Sequence, residues 1–506
     1  MNRASHPLDP ATLCMSQPPA ASKTNRVDTK AEMDHRSDFV ASSVHTAMAL
    51  VRCATAMLRR GAALAVIGAP LTFAQAAVPD VAPDPIVAKA IAQISPAQIQ
   101  ADIAALVGFG TRSTISDQTA QSIAAGRGIG AARDWIKAQL ELYSRDCGGC
   151  LEVKTDAFTQ PPAERIPVPT EITNVYAVLK GTDPKEAQRI VLVTGHYDSR
   201  ISDPLDAAGA APGANDDASG TAVSLECARV LSKLRFPATI IFLTVAGEEQ
   251  NLNGSQHFAQ LARQNQWDIA AVLNNDIVGG DRNDQQNPQV VRLFSEGIPL
   301  VADDAQLRAI RSIGAESDSP SRQLARYVAD VARTYQAGIR PLLVLRPDRY
   351  LRGGDQTSFN KVGFTAVRFT EYRENYDHQH QNLRTENGVE YGDLPKFVDY
   401  GYVARVAMLN AATLASLASA PAAPSSVSLR TSQLENRSTL TWASTARAER
   451  YQVLWRETSS PIWTDALTVA NASATLEISK DNVIFAVRAF DHAGHVSLAT
   501  ASVPAR

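Results

Sequence analysis

At 506 residues the chain has room for two or three domains, and 45% hydrophobic with 20% charged residues is the composition of a globular protein. A formal net charge of −3, with no block of like charge, removes the electrostatic basis for nucleic acid binding.

Residues 1–47 are polar, rich in Ser, Pro and Thr, and without periodicity, as expected of a disordered extension or of a start assigned upstream of the natural one. Met48 or Met57 then opens a different pattern: Arg52, Arg59 and Arg60, an apolar run over residues 61–74, and the triplet Ala74-Gln75-Ala76. These are the charged, apolar and cleavage regions of a signal peptide over residues 48–76, cut near Ala76, which predicts a secreted or periplasmic protein. The apolar run is too short for a membrane span and Pro70 interrupts it, so no stable membrane insertion is expected. In an oxidising compartment Cys147 and Cys150, separated by two glycines, are expected to form a local disulfide, and Cys227 to be an inert core residue.

Apolar spacing marks residues 96–106 and 129–143 as helices, and 152–158 and 172–179 as strands. Buried strands at 189–194, 238–245 and 269–274 then alternate with helices at 220–234 and 253–263. That alternation predicts an α/β domain over residues 77–420, built on a doubly wound, mostly parallel (mixed) sheet flanked by helices. Residues 281–300 read as an excursion, 303–337 as helical with a break at Pro320, 341–345 and 365–369 as strands, and 394–418 as a closing helix. A linker is expected over 419–426, and residues 421–506 read as a C-terminal all-β sandwich with strands at 438–442, 451–456, 474–478 and 483–490. Trp442, Tyr451, Trp455 and the run from Phe485 to Phe490, followed by Asp491 and Gly494, resemble a fibronectin type III module, which implies surface or partner binding.

The polar residues that follow the strands carry the chemistry. Thr-Gly-His-Tyr-Asp supplies His196 and Asp198, Asn-Asp-Asp-Ala-Ser-Gly supplies Asp216 and Asp217, Gly-Glu-Glu-Gln supplies Glu248 and Glu249, and Asn-Asn-Asp supplies Asp276. A late segment, Tyr-Asp-His-Gln-His, adds His378 and His380. An isolated pair of acidic residues is most often surface decoration, and Asp217 is placed to cap the helix that follows it. An adjacent Glu pair directly after an apolar strand is not explained that way, and His196 and Asp276 also follow strands at the edge where open α/β sheets bind ligands. His257, within a helix, reads as a bystander.

Two zinc ions sharing a site need a bridging carboxylate, terminal ligands on each, and a base for water. The sequence offers His196 as one ligand with Asp198 behind its ring, Asp216 as the bridge, Glu249 and Asp276 as terminal carboxylates, and a late histidine. Glu248 is left over as the general base.

In this order the segments resemble the M28 family of two-zinc exopeptidases, the bacterial leucine-type aminopeptidases. The resemblance implies the same ligand set with two Zn2+, Glu248 as base, a cis peptide between Asp216 and Asp217, and peptide substrates with a free N-terminus cleaved through a metal-bridging hydroxide. It also implies a Tyr-His pair with an acidic residue four positions on. Here His378, with Asn382 at that offset, is preferred as the last ligand and His380 is the alternate; Tyr376 would stabilise the oxyanion. The family's Ser-Asp-His stands here as Gly354-Asp355-Gln356, which leaves a substrate-binding role there open. Glutamate-type carboxypeptidases, glutaminyl cyclases and metal-free receptors share the scaffold and are the alternatives.

Overall fold

The computed structural model describes residue 78 and residues 81–505. The extension and signal peptide expected over residues 1–76 lie outside the described residues. Among the described residues no helix is long and apolar enough to cross a membrane.

Two proline-led helices open the chain: α1 (Pro85–Ile91), capped by Asp84, and α2 (Pro96–Gly108), capped by Ser95. They are followed by α3 (Ala120–Ala124) and α4 (Gly128–Asp146), and a disulfide between Cys147 and Cys150 closes the turn after α4. Next come β1 (Leu151–Gln160), β2 (Thr170–Leu179), β3 (Arg189–His196), α5 (Ala218–Leu231), β4 (Thr239–Val245), α6 (Asn253–Gln264) and β5 (Asp268–Asn275). The second half adds β6 (Val290–Ser295), α7 (Asp304–Ser312), α8 (Pro320–Thr334), β7 (Arg340–Val344), α9 (Gln356–Asn360), β8 (Ala366–Glu371) and a hairpin of β9 (Arg384–Glu386) and β10 (Val389–Tyr391). Helix α10 (Tyr400–Ser419) completes this part.

The eight strands form one mixed sheet in the order β1-β2-β4-β3-β5-β8-β6-β7. The central four are parallel, β1 and β2 join antiparallel at one side, and β6 runs antiparallel to β8 at the other. Strands β3 and β4 are buried along their whole length because both faces are covered. Val191, Val193, Ile240 and Phe242 point to the face covered by α2, α4, α5 and α10, while Leu192, Ile241, Leu243 and Val245 meet Phe258 of α6 and Phe359 of α9 on the other. Each fully buried aliphatic or aromatic side chain here contributes about 1.5–3 kcal/mol, so the sheet centre is a stiff platform.

Three local expectations change. The excursion at 281–300 contains β6, whose short run between polar stretches carries too little periodicity to announce a strand. The helical region 303–337 is two helices, since Asp303 and Gln306 form a capping box for α7 and Pro320 starts α8. The closing helix begins at Tyr400 with Asp399 as cap, and Pro395–Phe397 is a separate 3-10 turn.

The C-terminal part contains β11 (Ser428–Arg430), β12 (Ser438–Thr441), β13 (Arg450–Glu457), β14 (Asp465–Val469), β15 (Ser473–Leu476), β16 (Val483–Phe490), β17 (Thr500–Ala501) and β18 (Val503–Ala505). They form two four-stranded sheets, β15-β12-β11-β18 and β14-β13-β16-β17, around Trp442, Tyr451, Trp455 and Phe485. The stretch expected to be a linker is pinned instead. Arg189 donates to the carbonyls of Leu417 and Ala420, at 2.9 and 2.6 Å. All described residues fall in one compact unit.

Candidate active site

Four of the predicted segments converge at the C-terminal ends of the parallel strands. His196 is the last residue of β3, Glu248 and Glu249 follow β4, and Asp276 follows β5. Asp216 and Asp217, joined by a cis peptide, precede α5. Glycines make this approach possible. A Cβ on Gly195 would lie 2.4 Å from the Gly220 backbone, and one on Gly220 would lie 2.1 Å from the Asn275 carbonyl oxygen, so only hydrogens let α5 start this close to β3 and β5. Asp217 caps α5 by accepting from Gly220 N at 2.8 Å, and its second oxygen accepts from His196 N at 3.0 Å, which ties helix start to strand end.

The ligand-type atoms form two groups that share one residue. His196 Nε2 lies 3.1 Å from Asp216 Oδ1 and 3.8 Å from Asp276 Oδ1. His380 Nε2 lies 2.8 Å from Asp216 Oδ2 and 3.0 Å from Glu249 Oε1. Asp216 thus turns one oxygen to each group, which is the geometry of a bridging carboxylate. His196 Nε2 is fully buried without a hydrogen-bond partner, a vacancy in bonding that a cation between His196, Asp216 and Asp276 would fill. Two imidazoles and three carboxylates in this arrangement suit a pair of zinc ions, so the donor set fits the metal the sequence implied.

The surroundings hold these atoms in place. Asp198 lies behind His196, with its carbonyl 3.2 Å and Oδ1 3.4 Å from Nδ1, and its Oδ2 accepts from Thr114 Oγ1 and Glu249 N at 2.9 and 3.2 Å. Asp393 was not legible in the sequence, because its place is set by the loop after β10: it accepts from the backbone N–H of Asn215 and Asp216 at 2.8 and 2.7 Å. Gln379 donates to Asp216 Oδ2 at 3.0 Å. Two arginines, equally silent in sequence, grip the terminal carboxylates. Arg368, fully buried, pairs with Asp276 at 3.0 Å and with Asp348 at 3.1 Å. Arg200 pairs with Glu249 Oε2 at 2.8 Å and places Nη2 2.5 Å from His380 Nδ1. Ligating histidines ordinarily give that second nitrogen to an acceptor, as His196 does; His380 has a cation there instead.

Electrostatics follow from crowding. Burial pulls the His196 imidazole pKa down, but Asp217, Asp198, Asp216 and Asp276 outweigh it and hold it well above the usual value. The same balance of burial against Glu249 and Asp216 brings His380 up to about 10. Burial would raise Asp216, yet the two histidines keep it well below the usual carboxylate range. Glu248 is pushed well above its ordinary value by burial, with Asp276, Glu249 and Asp355 adding repulsion against the opposing pull of His196. Asp355, whose oxygens lack hydrogen-bond partners, is raised to about 7, first by burial and then by Asp276 and Asp198 despite His196 and Ser255. Cations in the cluster would oppose the upward shifts of the two imidazoles, Glu248 and Asp355 and deepen the downward shift of Asp216.

Two assignments are corrected. His378 does not reach the centre: it hydrogen-bonds Asp281 through Nδ1 and stacks on Phe397 at 3.6 Å between ring centroids. The residues around it form a tight turn, with Gln379 N donating to the Asn375 carbonyl at 3.0 Å, and His380 takes a left-handed φ of 54° at its end. Of the two histidines it is His380 that faces the carboxylates. Tyr376 is also turned away; it is 63% exposed, under Arg352 at 6.0 Å, and does not line the pocket. Gln379 holds the position immediately before the inward histidine. The pocket above the centre has a volume of about 430 Å³, lined by Glu248, Glu249, Asp276, His380 and a basic rim.

An α/β sheet that collects two histidines around a shared aspartate, with a spare glutamate beside them, defines the scaffold of a hydrolase. The model of peptidase family M28 matches residues 174–394, which span every residue of the cluster. A protein of Leptosphaeria maculans described as a "Probable zinc metalloprotease" is 46% identical over 415 residues, covering 80% of this chain and 94% of that protein. Another so described, from Pyricularia oryzae, is 45% identical over 434 residues, 83% of this chain and 85% of that one. The LapA aminopeptidase structure from Legionella pneumophila is 20% identical, with TM-score 0.46, over 66% of this chain and 74% of that one. The chain belongs to peptidase family M28.

Proposed function

We propose that this chain is an exported aminopeptidase with two zinc ions, held by His196, Asp216 and Asp276 on one side and by Asp216, Glu249 and His380 on the other. The observation that carries the reading is the division of Asp216, one oxygen facing each histidine. Zinc, when bound, supplies the Lewis acidity that such hydrolysis requires. Glu248 has no ligand duty. It takes the proton of the attacking water and delivers it to the leaving amine, and it lines the pocket beside Asp276 and Glu249, within reach of a substrate held there. Asp198 and Asp393 are positioning residues, fixing the His196 ring and the Asp216 backbone. Export rests on the signal pattern at 48–76, and a partner-binding role for the β-sandwich on its resemblance to fibronectin type III.

The Glu248→Gln protein tests the assignment. Its kcat on aminoacyl chromophores should fall about 10²–10⁴-fold while zinc content stays as in the unmodified protein. Full activity with zinc retained would refute Glu248 as base; activity on blocked but not free-amine substrates would refute the aminopeptidase reading.

A further inference from the structure

The rim of the pocket is basic. Arg165, Arg200, Arg349, Arg352 and Lys361 line it, and among the described lining residues the carboxylates are only those of the centre itself. Two of the cations are committed within the protein: Arg200 to Glu249 and His380, and Arg349 to Asp348 and Glu374. Arg352 shares Glu374 with both Arg349 and Arg292, and Arg352 has no other carboxylate partner among the described residues. Arg165 forms no ion pair among the described residues. One of its N–H groups donates to the Glu249 carbonyl at 2.9 Å, which fixes the guanidinium beside a residue of the centre and leaves its other donors available. Lys361, at the end of α9, is exposed and likewise unpaired among the described residues.

Two dications would cancel the three ligand carboxylates and Glu248, and the basic rim would then set the field of the pocket. Its apolar lining is confined to Leu252, Ile277 and Leu351, too little to favour a large aliphatic side chain. We infer that the pocket selects a substrate carrying a carboxylate next to the scissile bond, received by Arg165 and Lys361 with Arg352 reinforcing the attraction. Because Arg165 is tied to Glu249, that carboxylate lies within about one residue of the reacting carbonyl. An acidic side chain of the N-terminal residue and the free C-terminal carboxylate of a short peptide both meet this description. The inference rests on the peptidase reading, and its test separates the two.

Full-length, zinc-loaded protein is assayed on matched Glu and Gln, and Asp and Asn, aminoacyl substrates, and on dipeptides against their amides. The expected result is a kcat/KM at least about tenfold higher for the carboxylate member of one series, shrinking as salt is raised. The series that responds identifies the source of the carboxylate. Arg165→Gln and Lys361→Gln should each lower that ratio several-fold, and Arg165→Lys should restore part of it. Binding of glutamate and of glutamine to the zinc-loaded Glu248→Gln protein gives a readout that needs no turnover. Tighter glutamate binding without hydrolysis of any peptide would overturn the peptidase reading and keep the anion inference. Equal hydrolysis and equal binding of charged and neutral members, unchanged in Arg165→Gln, would overturn the inference and keep the peptidase.

Discussion

At the scale of single residues, the centre is defined by how charge is balanced around Asp216. Without metal, the carboxylates hold His196 well above its usual pKa and bring His380 up to about 10, so the Nε2 atoms that face them keep protons at neutral pH. Zinc displaces those protons, because it needs the imidazole lone pairs. The metal-free protein therefore binds more protons than the loaded one, and raising the pH favours loading. Zinc affinity, measured against a chelator of known pH dependence, should tighten by at least about tenfold between pH 6 and pH 8. A flat profile would mean that the rings are already neutral in the empty site. Arg200 works in the same direction as zinc by placing positive charge against Glu249 and His380. The candidate residues ending or following β3, β4 and β5 were legible because each emerges from an apolar run of strand length, and Asp216 because it stands beside the cap of the helix that follows. The last histidine was not. Its choice depends on the path of one tight turn, in which His380 takes a left-handed φ of 54°, and in sequence His378 and His380 differ only by two positions. Arg200, Arg368 and Asp393 were silent for a related reason: their partners lie 49, 92 and 177 residues away in the chain, and nothing local marks them.

At the scale of elements, the site depends on how closely α5 starts against the sheet. Gly195 and Gly220 bring the helix start to the ends of β3 and β5, and Asp217 binds across the gap to His196 N. Adding one methyl at Gly220 would place a carbon 2.1 Å from the Asn275 carbonyl oxygen and 2.5 Å from Asp217 Oδ2. Gly220→Ala should cost about 1–3 kcal/mol in denaturant unfolding and weaken zinc binding, as Asp216 moves with the helix start. Unchanged stability and affinity would show that α5 can slide without disturbing the carboxylates. The sheet was readable where strands are covered on both faces, since β3, β4 and β5 are nearly continuous apolar runs. It was least readable toward its β6 side. Val290–Ser295 contains Arg292, whose guanidinium leaves the strand to reach Glu374, so the pattern is broken where the sheet turns polar.

At the scale of the molecule, the β-sandwich is braced against the peptidase fold rather than hung from a tether. Arg456 Nη2 donates to both carboxylate oxygens of Asp318 at 2.9 Å, Arg326 donates to the Pro461 carbonyl at 2.7 Å, and Trp463 Nε1 donates to Gln323 at 3.2 Å. Tyr327 donates to the Val496 carbonyl at 3.0 Å, and Phe490 and Val496 join the same apolar cluster as α8 and α10. These contacts cover one side of α8 and account for the burial of Arg326 there. Composition made the stretch before β11 look like a flexible linker; what fixes it is Arg189, over 200 residues earlier, and no local pattern records that.

On this reading two metal positions share Asp216, and His380 closes the second. Zinc per chain, measured after dialysis on the unmodified protein and on His380→Ala and His378→Ala, tests it most directly. The expected result is two ions in the unmodified and His378→Ala proteins and one in His380→Ala. Loss of an ion in His378→Ala with two retained in His380→Ala would contradict it.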